Sequence, residues 1–98
     1  MEIKKEQNGN ELTVSLEGRL DTVTSPELEA ALGDLGGVTK LVINMEKLSY
    51  VSSAGLRVLL NAQKKLAANK GDMSISNAND ELKEIFEITG FDEIFNIK

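Results

Sequence analysis

The stretch LSYVSSAGL, Leu48 to Leu56, stands between a short apolar run and the longest helical pattern in the chain. A serine at a helix start can accept hydrogen bonds from backbone N–H groups that have no partner inside the helix. The same free N–H groups and the positive end of the helix dipole also favour a phosphate. Ser52 and Ser53 therefore have two interpretations: a cap that starts the helix, and a hydroxyl presented for modification.

The pattern after the serines predicts a long amphipathic helix from about Ala54 to Asn69, ended by Lys70-Gly71. Small residues at Ala54 and Gly55 would let another protein surface approach the hydroxyl closely. Arg57 and Asn61 project away from much of the leucine stripe, as part of a partner surface or as a solvated helix face. The predicted buried stripe consists of Leu56, Leu59, Leu60, Leu66 and Ala67, widened by Val58 and Ala62.

The segments before this motif have strand patterns. Apolar and polar residues alternate from Leu12 to Leu16, which is typical of a strand with one buried face. Residues 2–7 can pair with that strand through an Asn8-Gly9 turn. The continuous apolar run at residues 41–43 predicts a strand covered on both faces.

Two further helices are predicted on either side of the motif. Ser25-Pro26-Glu27 has the form of an N-cap, a proline and a first-turn acid, and the helix continues to Leu35 before Gly36-Gly37. Asn79 is the expected cap of the last helix, which Gly90 ends. Apolar residues at 73 and 75 predict a strand between the helices. Ile94, Phe95 and Ile97 predict a last strand or a closing segment.

The predicted order is β-β-α-β-α-β-α-β, an α/β fold with a small, mostly parallel mixed sheet of four to five strands and three to four helices. Functional loops in such sheets collect at the carboxyl ends of the strands. Two loops qualify, residues 18–21 and residues 49–53. If their strands are parallel neighbours, Asp21 and Ser53 emerge at the same edge. Asp21 would orient a basic group of a partner, or it is an ordinary turn aspartate.

Composition narrows the function classes. The chain has 98 residues, which predicts a single domain over residues 1–98, and it contains no cysteine and no histidine. Thiol chemistry, the usual zinc sites and imidazole catalysis are excluded. No catalytic carboxylate pair or phosphate loop is found, so we expect a protein that is not an enzyme, with no cofactor and no metal.

Charge and hydropathy restrict the classes of molecule that this protein can bind and its expected location. The net charge of −5 argues against nucleic acid, which is itself a polyanion. No apolar stretch approaches the roughly 20 residues of a spanning helix, and the N-terminus lacks a signal-peptide core. We therefore expect a cytoplasmic protein without direct membrane insertion, and a protein as its partner.

The motif resembles the signature of the STAS domain, the anti-sigma factor antagonist family, whose usual form is L-S-[FY]-[MI]-D-S-[ST]-G-L. Residues 18–21, Gly-Arg-Leu-Asp, resemble the G-x-[LIF]-D segment of the same family. The order of strands and helices is similar to that of the family along nearly the whole chain. The resemblance thus rests on two motifs at the right separation within a matching pattern.

The resemblance implies a bacterial regulator that is switched by phosphorylation. In that family the unphosphorylated domain binds an anti-sigma factor that is also a serine kinase, and so frees a sigma factor. The kinase then phosphorylates the serine after the motif aspartate, and a PP2C-type phosphatase resets the domain. The phosphoacceptor position falls on Ser53. The partner surface would comprise Asp21, Ser52, Ser53, Ala54, Gly55 and Arg57.

Two positions, on either side of Ser53, depart from the family pattern. Ser52 stands where the motif has aspartate, and Ala54 stands where the second Ser or Thr is usual. The change removes a negative charge beside the acceptor and adds a second hydroxyl, so Ser52 is the alternative phosphorylation site.

Two other functions remain open from the sequence. One is a STAS-type scaffold or adaptor in a larger complex, such as the cytoplasmic partner of a lipid-transport ATPase. The other is a module that senses a nucleotide or lipid near Asp21 and Ser53.

Overall fold

The fold is one five-stranded mixed sheet whose strands lie side by side in chain order. The computed structural model describes residues 1–33 and 35–98, so Asp34, which falls inside the predicted first helix, lies outside the described residues. The strands are β1 (Glu2–Asn8), β2 (Glu11–Leu20), β3 (Lys40–Val51), β4 (Asp72–Ser76) and β5 (Asn96–Ile97). β1 is antiparallel to β2, and the other neighbours are parallel. The predicted α/β class and mixed sheet are confirmed.

Three α-helices connect the parallel strands in the described part of the chain. These are α1 (Ser25–Ala31), α2 (Ser53–Ala68) and α3 (Asp80–Thr89), and a short 3₁₀ helix, Phe91–Glu93, follows α3. α2 contacts α1, β3 and β4, and α3 contacts β3. Of the residues predicted to close the fold, Ile97 belongs to β5, whereas Ile94 and Phe95 lie between the 3₁₀ helix and that strand, so the expected strand is found only at its end.

β3 is much longer than the predicted residues 41–43, because it continues through the motif to Val51. Two register shifts against β2 each place one extra residue in β3, near Met45 and near Ser49. Such bulges break the alternation of buried and exposed side chains. The expectation that Ser49 to Val51 form a loop is therefore wrong, as is the same expectation for residues 18–20, which belong to β2.

α1 is shorter than predicted and starts one residue earlier. Thr24, not Ser25, is its N-cap residue, and the helix ends at Ala31 rather than near Leu35. The buried Ser25 hydroxyl donates a hydrogen bond to the Asp21 carbonyl instead of capping the helix. Leu32 and Leu35 are buried as expected although they follow the helix. Their spacing indicated the core correctly and the helix end incorrectly.

α3 begins and ends where the sequence predicts. The Asn79 side chain accepts a hydrogen bond from the Leu82 N–H at 2.9 Å, and Gly90 adopts the left-handed conformation (φ 78°) that ends the helix. Leu82 and Phe86 are fully buried, and Ile85 packs against the core at partial burial.

The hydrophobic core lies between the sheet and its helices. Side chains of β2, β3 and β4 form its floor, and Leu56, Leu59 and Leu66 of α2 are buried against them as predicted. Leu60 is only partly buried, and Ala67 is exposed, which corrects the predicted stripe at that residue. Val58 and Ala62 are buried on the side of α2 that meets α1.

Candidate functional site at the carboxyl edge of β2 and β3

β2 and β3 end at the same level of the sheet, which places the two motifs side by side. Leu20 and Val51 are paired in register as the last residues of the two strands. The N–H of Ser52 then donates to the Leu20 carbonyl at 2.8 Å. The prediction that these strands are parallel neighbours is confirmed, and Asp21 and Ser52 leave the sheet from adjacent positions.

Ser52 is the N-cap of α2. Its backbone is extended, and its hydroxyl oxygen accepts a hydrogen bond from the Gly55 N–H at 3.3 Å. The Ser52 carbonyl accepts from the Leu56 N–H at 2.9 Å, the first bond of the helix. The capping interpretation therefore applies to Ser52, whose side chain is half-buried and already engaged.

Ser53 is the first residue of α2 and is exposed. Its hydroxyl has no hydrogen-bond partner among the described residues. Its own N–H and that of Ala54 come before the Leu56 N–H, the first donor of a helical hydrogen bond, so they have no acceptor inside the helix. A phosphate on this hydroxyl would lie beside free N–H donors at the positive end of the helix dipole. Of the two serines, Ser53 is the one whose hydroxyl is free for chemistry.

Gly55 is buried because Leu20 fills the space where a side chain would be. A Cβ built on Gly55 would lie 2.7 Å from Leu20 Cγ and 3.1 Å from the Leu20 carbonyl oxygen. The glycine lets the first turn of α2 pack directly on the end of β2. The small size of Gly55 therefore serves a contact inside the protein, not the close approach of a partner that the sequence predicts. Ala54, in the same turn, is partly exposed.

Asp21 holds the turn between β2 and α1. Its Oδ1 accepts from the N–H groups of Val23 and Thr24, both at 3.0 Å, and from the Thr24 hydroxyl at 3.2 Å. The Thr24 N–H bond, aided by the Thr24 hydroxyl, the Val23 N–H and Arg19, lowers the pKa of Asp21 against an opposing effect of desolvation. The side chain is therefore ionised at neutral pH. Its hydrogen bonds show that Asp21 stabilises the turn, the second of the two roles considered for it.

The same turn presents an apolar side chain that the residue pattern does not single out. Val23 is 83% exposed although its backbone is fixed by the Asp21 carboxylate. A valine in a turn carries no sequence signal of its own. Only the hydrogen bond from the Val23 N–H to the Asp21 carboxylate shows that this side chain is held facing outward at this edge.

Arg19 and Tyr50 form a second feature that the sequence did not indicate. They are register partners on β2 and β3, and the guanidinium carbon lies 4.4 Å from the centre of the tyrosine ring. Arg19 also approaches Asp21, with Nε 3.8 Å from Oδ2. The bulge near Ser49 sets this pairing, so residue spacing alone could not have found it.

Arg57 and Asn61 are exposed on α2, as predicted. Arg57 follows Ser53 by four residues, which places both on one helix face. The described residues contain no group of three or more acidic side chains arranged to hold a metal ion. None of the helices in residues 1–33 and 35–98 combines the length and apolar character that a bilayer span needs.

The fold and the two motifs define a STAS domain. The sequence profile of the STAS domain matches residues 2–98, almost the entire chain. The chain belongs to the STAS domain family.

Relatives within this family carry the name anti-sigma factor antagonist. The anti-sigma-B factor antagonist of Staphylococcus aureus is 33% identical over 86 residues, which cover 86% of this chain and 80% of that protein. A crystal structure of an anti-sigma factor antagonist from Mycobacterium paratuberculosis is 26% identical, with a TM-score of 0.86 over 98% of this chain and 83% of that one. The predicted family is thus confirmed.

A third similarity concerns the fold. The Bacillus cell fate determinant SpoIIAA, solved in its phosphorylated form, superposes with a TM-score of 0.78 at 22% identity, covering 99% of this chain and 91% of that one.

Proposed function

We propose that this protein is an anti-sigma factor antagonist whose binding is switched by phosphorylation of Ser53. The unphosphorylated edge of β2 and β3 binds an anti-sigma factor with serine-kinase activity in the cytoplasm, which frees a sigma factor. A PP2C-type phosphatase restores the binding form. The protein itself acts as a binding module and a kinase substrate, not as an enzyme.

One observation carries this proposal: Ser52 caps α2, so the exposed Ser53 hydroxyl is left without a hydrogen-bond partner among the described residues. Ser52 fills the cap position, so helix capping does not occupy the Ser53 hydroxyl. The names of the relatives supply the class of partner. The SpoIIAA structure supports a phosphorylated form of this fold, since its phosphorylated state has been solved.

The physical basis of the switch is the contrast between fold and interface. A phosphate adds about −1.5 to −2 charges at neutral pH. The free N–H groups of Ser53 and Ala54 accommodate that charge, so the fold survives it. A partner surface packed against Ser53 would meet both the bulk and a desolvation cost. Val23 and the Arg19–Tyr50 pair stand at the same edge and supply further contact area.

The modified residue is tested by tandem mass spectrometry of the protein purified from its native host. We expect the phosphate on Ser53. Phosphate found only on Ser52, Ser49 or Ser25 would contradict the assignment.

The switch is tested with the anti-sigma factor captured from the same host, identified and then purified. Ser53→Asp should weaken binding at least tenfold, about 1.4 kcal/mol, while Ser53→Ala should bind nearly as well as wild type and resist the kinase. Asn10→Asp is the matched control, because it also adds one negative charge. It does so at the β1–β2 turn, at the amino end of β2 and away from the site. Thermal melting checks that all variants are folded. A folded Ser53→Asp protein that binds as tightly as wild type would leave the switch without support.

A further inference from the structure

The exposed side of α2 has an unusual charge for this chain. Among its residues, Ser53–Ala68, the helix carries Arg57, Lys64 and Lys65 and no acidic residue. All three side chains are exposed. The whole chain nevertheless has a net charge of −5, so its remaining part is more acidic still. We call the surface formed by Arg57, Asn61, Lys64 and Lys65 the basic face.

The basic face starts at the proposed phosphorylation site. With about 100° of rotation per residue, Ser53 and the four residues of the face fall within an arc of about 120° around the helix axis. Arg57 lies one turn from Ser53, and Lys64 lies about three turns from it. The buried residues Leu59, Ala62 and Leu66 occupy the opposite side. One continuous surface therefore runs from Ser53 along the helix.

The cations of this face form no ion pair within the described part of the molecule. The ion pairs found there join Arg19 to Asp21 and Lys47 to Glu17, and none involves α2. A groove of about 290 Å³ between α1 and α2 is lined by Glu29 on one side and by Asn61 and Lys65 on the other. Even there Glu29 and Lys65 do not form an ion pair. An internal electrostatic role does not account for the basic face.

We infer that the basic face is a docking surface for an acidic protein surface on the anti-sigma factor. The inference rests on the proposed function and specifies the chemistry of its partner. Complementary charge increases the rate of encounter and fixes orientation, because opposite potentials attract before contact. Three cations without ion-pair partners, on a molecule that is otherwise acidic, favour an acidic partner at this face. A nucleic acid carries negative charge along its whole length, so it would extend beyond this face and be repelled by the excess acid elsewhere on the chain.

This surface also explains why a phosphate at Ser53 would act beyond its immediate contacts. The phosphate adds about −1.5 to −2 charges at one end of a surface that carries three positive charges. Arg57, four residues further along the helix, is placed to pair with it. Modification thus cancels most of the attraction for an acidic partner, in addition to the steric effect at the serine itself.

The test is a set of charge reversals measured by surface plasmon resonance against the purified anti-sigma factor. The variants are Arg57→Glu, Lys64→Glu and Lys65→Glu, alone and combined. Lys83→Glu is the matched control, because it makes the same change at an exposed lysine of α3. Each single reversal should weaken binding about three- to tenfold, mainly through slower association, and the triple variant at least a hundredfold. Lys83→Glu should change affinity less than about twofold.

Salt provides the second measurement. Raising the ionic strength from about 0.05 M to 0.5 M should slow association of the wild type and should affect the triple variant much less. If wild type and triple variant associate at the same rate and with the same salt dependence, while Ser53→Asp still weakens binding, the docking inference is wrong and the proposed function stands. If the folded wild type does not bind an anti-sigma factor at all, the proposed function fails and this inference fails with it.

Discussion

Gly55 illustrates how a single residue connects the fold to the site. Its missing side chain lets α2 start directly over Leu20, and two of the short distances to a hypothetical Cβ involve Leu20 carbons at 2.7 and 2.9 Å. We predict that Gly55→Ala lowers the free energy of unfolding by about 1–3 kcal/mol, because the extra methyl group overpacks this contact. Urea denaturation measures the change.

A double variant shows whether the cause is local. Leu20→Ala makes room for the new methyl group, so the two substitutions should cost less together than the sum of their separate costs. Simple additivity would mean that Leu20 is not the obstacle.

Leu59 and Arg57 test which side of α2 faces the core. Leu59 is fully buried, whereas Arg57 is exposed. Leu59→Ala should therefore destabilise the protein by about 2–5 kcal/mol. Arg57→Ala should change the stability by about 0.5 kcal/mol or less. The comparison uses denaturant titration of both variants, and similar losses would contradict the helix orientation.

Asp21 predicts a specific dependence of stability on acidity. Its pKa is lowered in the folded state, with the Thr24 N–H as the main cause, so its ionised form stabilises the fold. That contribution is fully present above the unfolded pKa of about 3.9 and is lost as the pH falls through the folded pKa. The stability difference between wild type and Asp21→Asn should therefore be constant from about pH 7 to 5 and shrink below about pH 4. A difference that is independent of pH down to full protonation would contradict this.

At the scale of single residues, the sequence located two adjacent serines at the start of α2 but did not show which of them caps the helix. Ser52 and Ser53 are adjacent hydroxyls with the same chemistry, and either one suits a helix start. Backbone geometry decides between them, because the extended conformation of Ser52 directs its oxygen at the Gly55 N–H. That geometry has no counterpart in residue type or spacing.

Among the secondary structure elements, the end of α2 contains a local strain that can be relieved. The Lys70 N–H donates to the Ala67 carbonyl and the Gly71 N–H to the Leu66 carbonyl, the pattern of a Schellman motif. The residue in the left-handed conformation is Lys70 (φ 59°), while the neighbouring glycine is packed against Thr39. The sequence predicted the stop correctly but could not show which residue takes the strained position.

We predict that Lys70→Gly stabilises the protein by about 0.5–1 kcal/mol, since glycine adopts this conformation without a Cβ penalty. Lys65→Gly, inside the same helix, is the contrasting change and should cost about 1 kcal/mol. Thermal melting compares the two. A Lys70→Gly protein that melts below wild type would show that the left-handed conformation is not a source of strain.

The strands show why element ends were harder to predict than element types. In β3 the buried residues are Leu41, Ile43, Met45, Leu48 and Val51, so the spacing changes from two to three at the bulges. A spacing of three does not indicate a strand, so the pattern predicts a loop at residues 49–53, of which residues 49–51 belong to β3. The order of elements survived this error, because the regular part of each strand was enough to identify it.

For the whole molecule, the topology predicts how stability is distributed. β2 and β3 share the longest paired register and are central in the sheet, whereas β5 has two residues and β1 is an exposed edge strand. We expect the slowest amide exchange in β2 and β3 and the fastest exchange among the strands in β5. Hydrogen–deuterium exchange measures this directly, and stronger protection of β5 than of β3 would contradict the prediction.

The site depends on the whole fold in a way that local patterns cannot predict. Leu20 and Val51 are 31 positions apart, and their pairing in register brings Asp21 beside the serines. The sequence places Asp21 and Ser53 at the same edge on the assumption that β2 and β3 are parallel neighbours, and this assumption is correct. The Arg19–Tyr50 contact and the outward Val23 depend on bulges and turn bonds, and these appear only in three dimensions.

The cap at Ser52 has a consequence for duplicated genes. Serine and aspartate cap helices about equally well, so descendants of one ancestral sequence can exchange them at this position with little change in stability. Two such copies in one cell would fold alike but differ by one charge beside the Ser53 hydroxyl, the proposed phosphoacceptor. Enzymes that sense that charge would modify one copy and ignore the other. A substitution at position 52 could thus prevent cross-reaction between two related signalling pathways while both proteins keep the same fold.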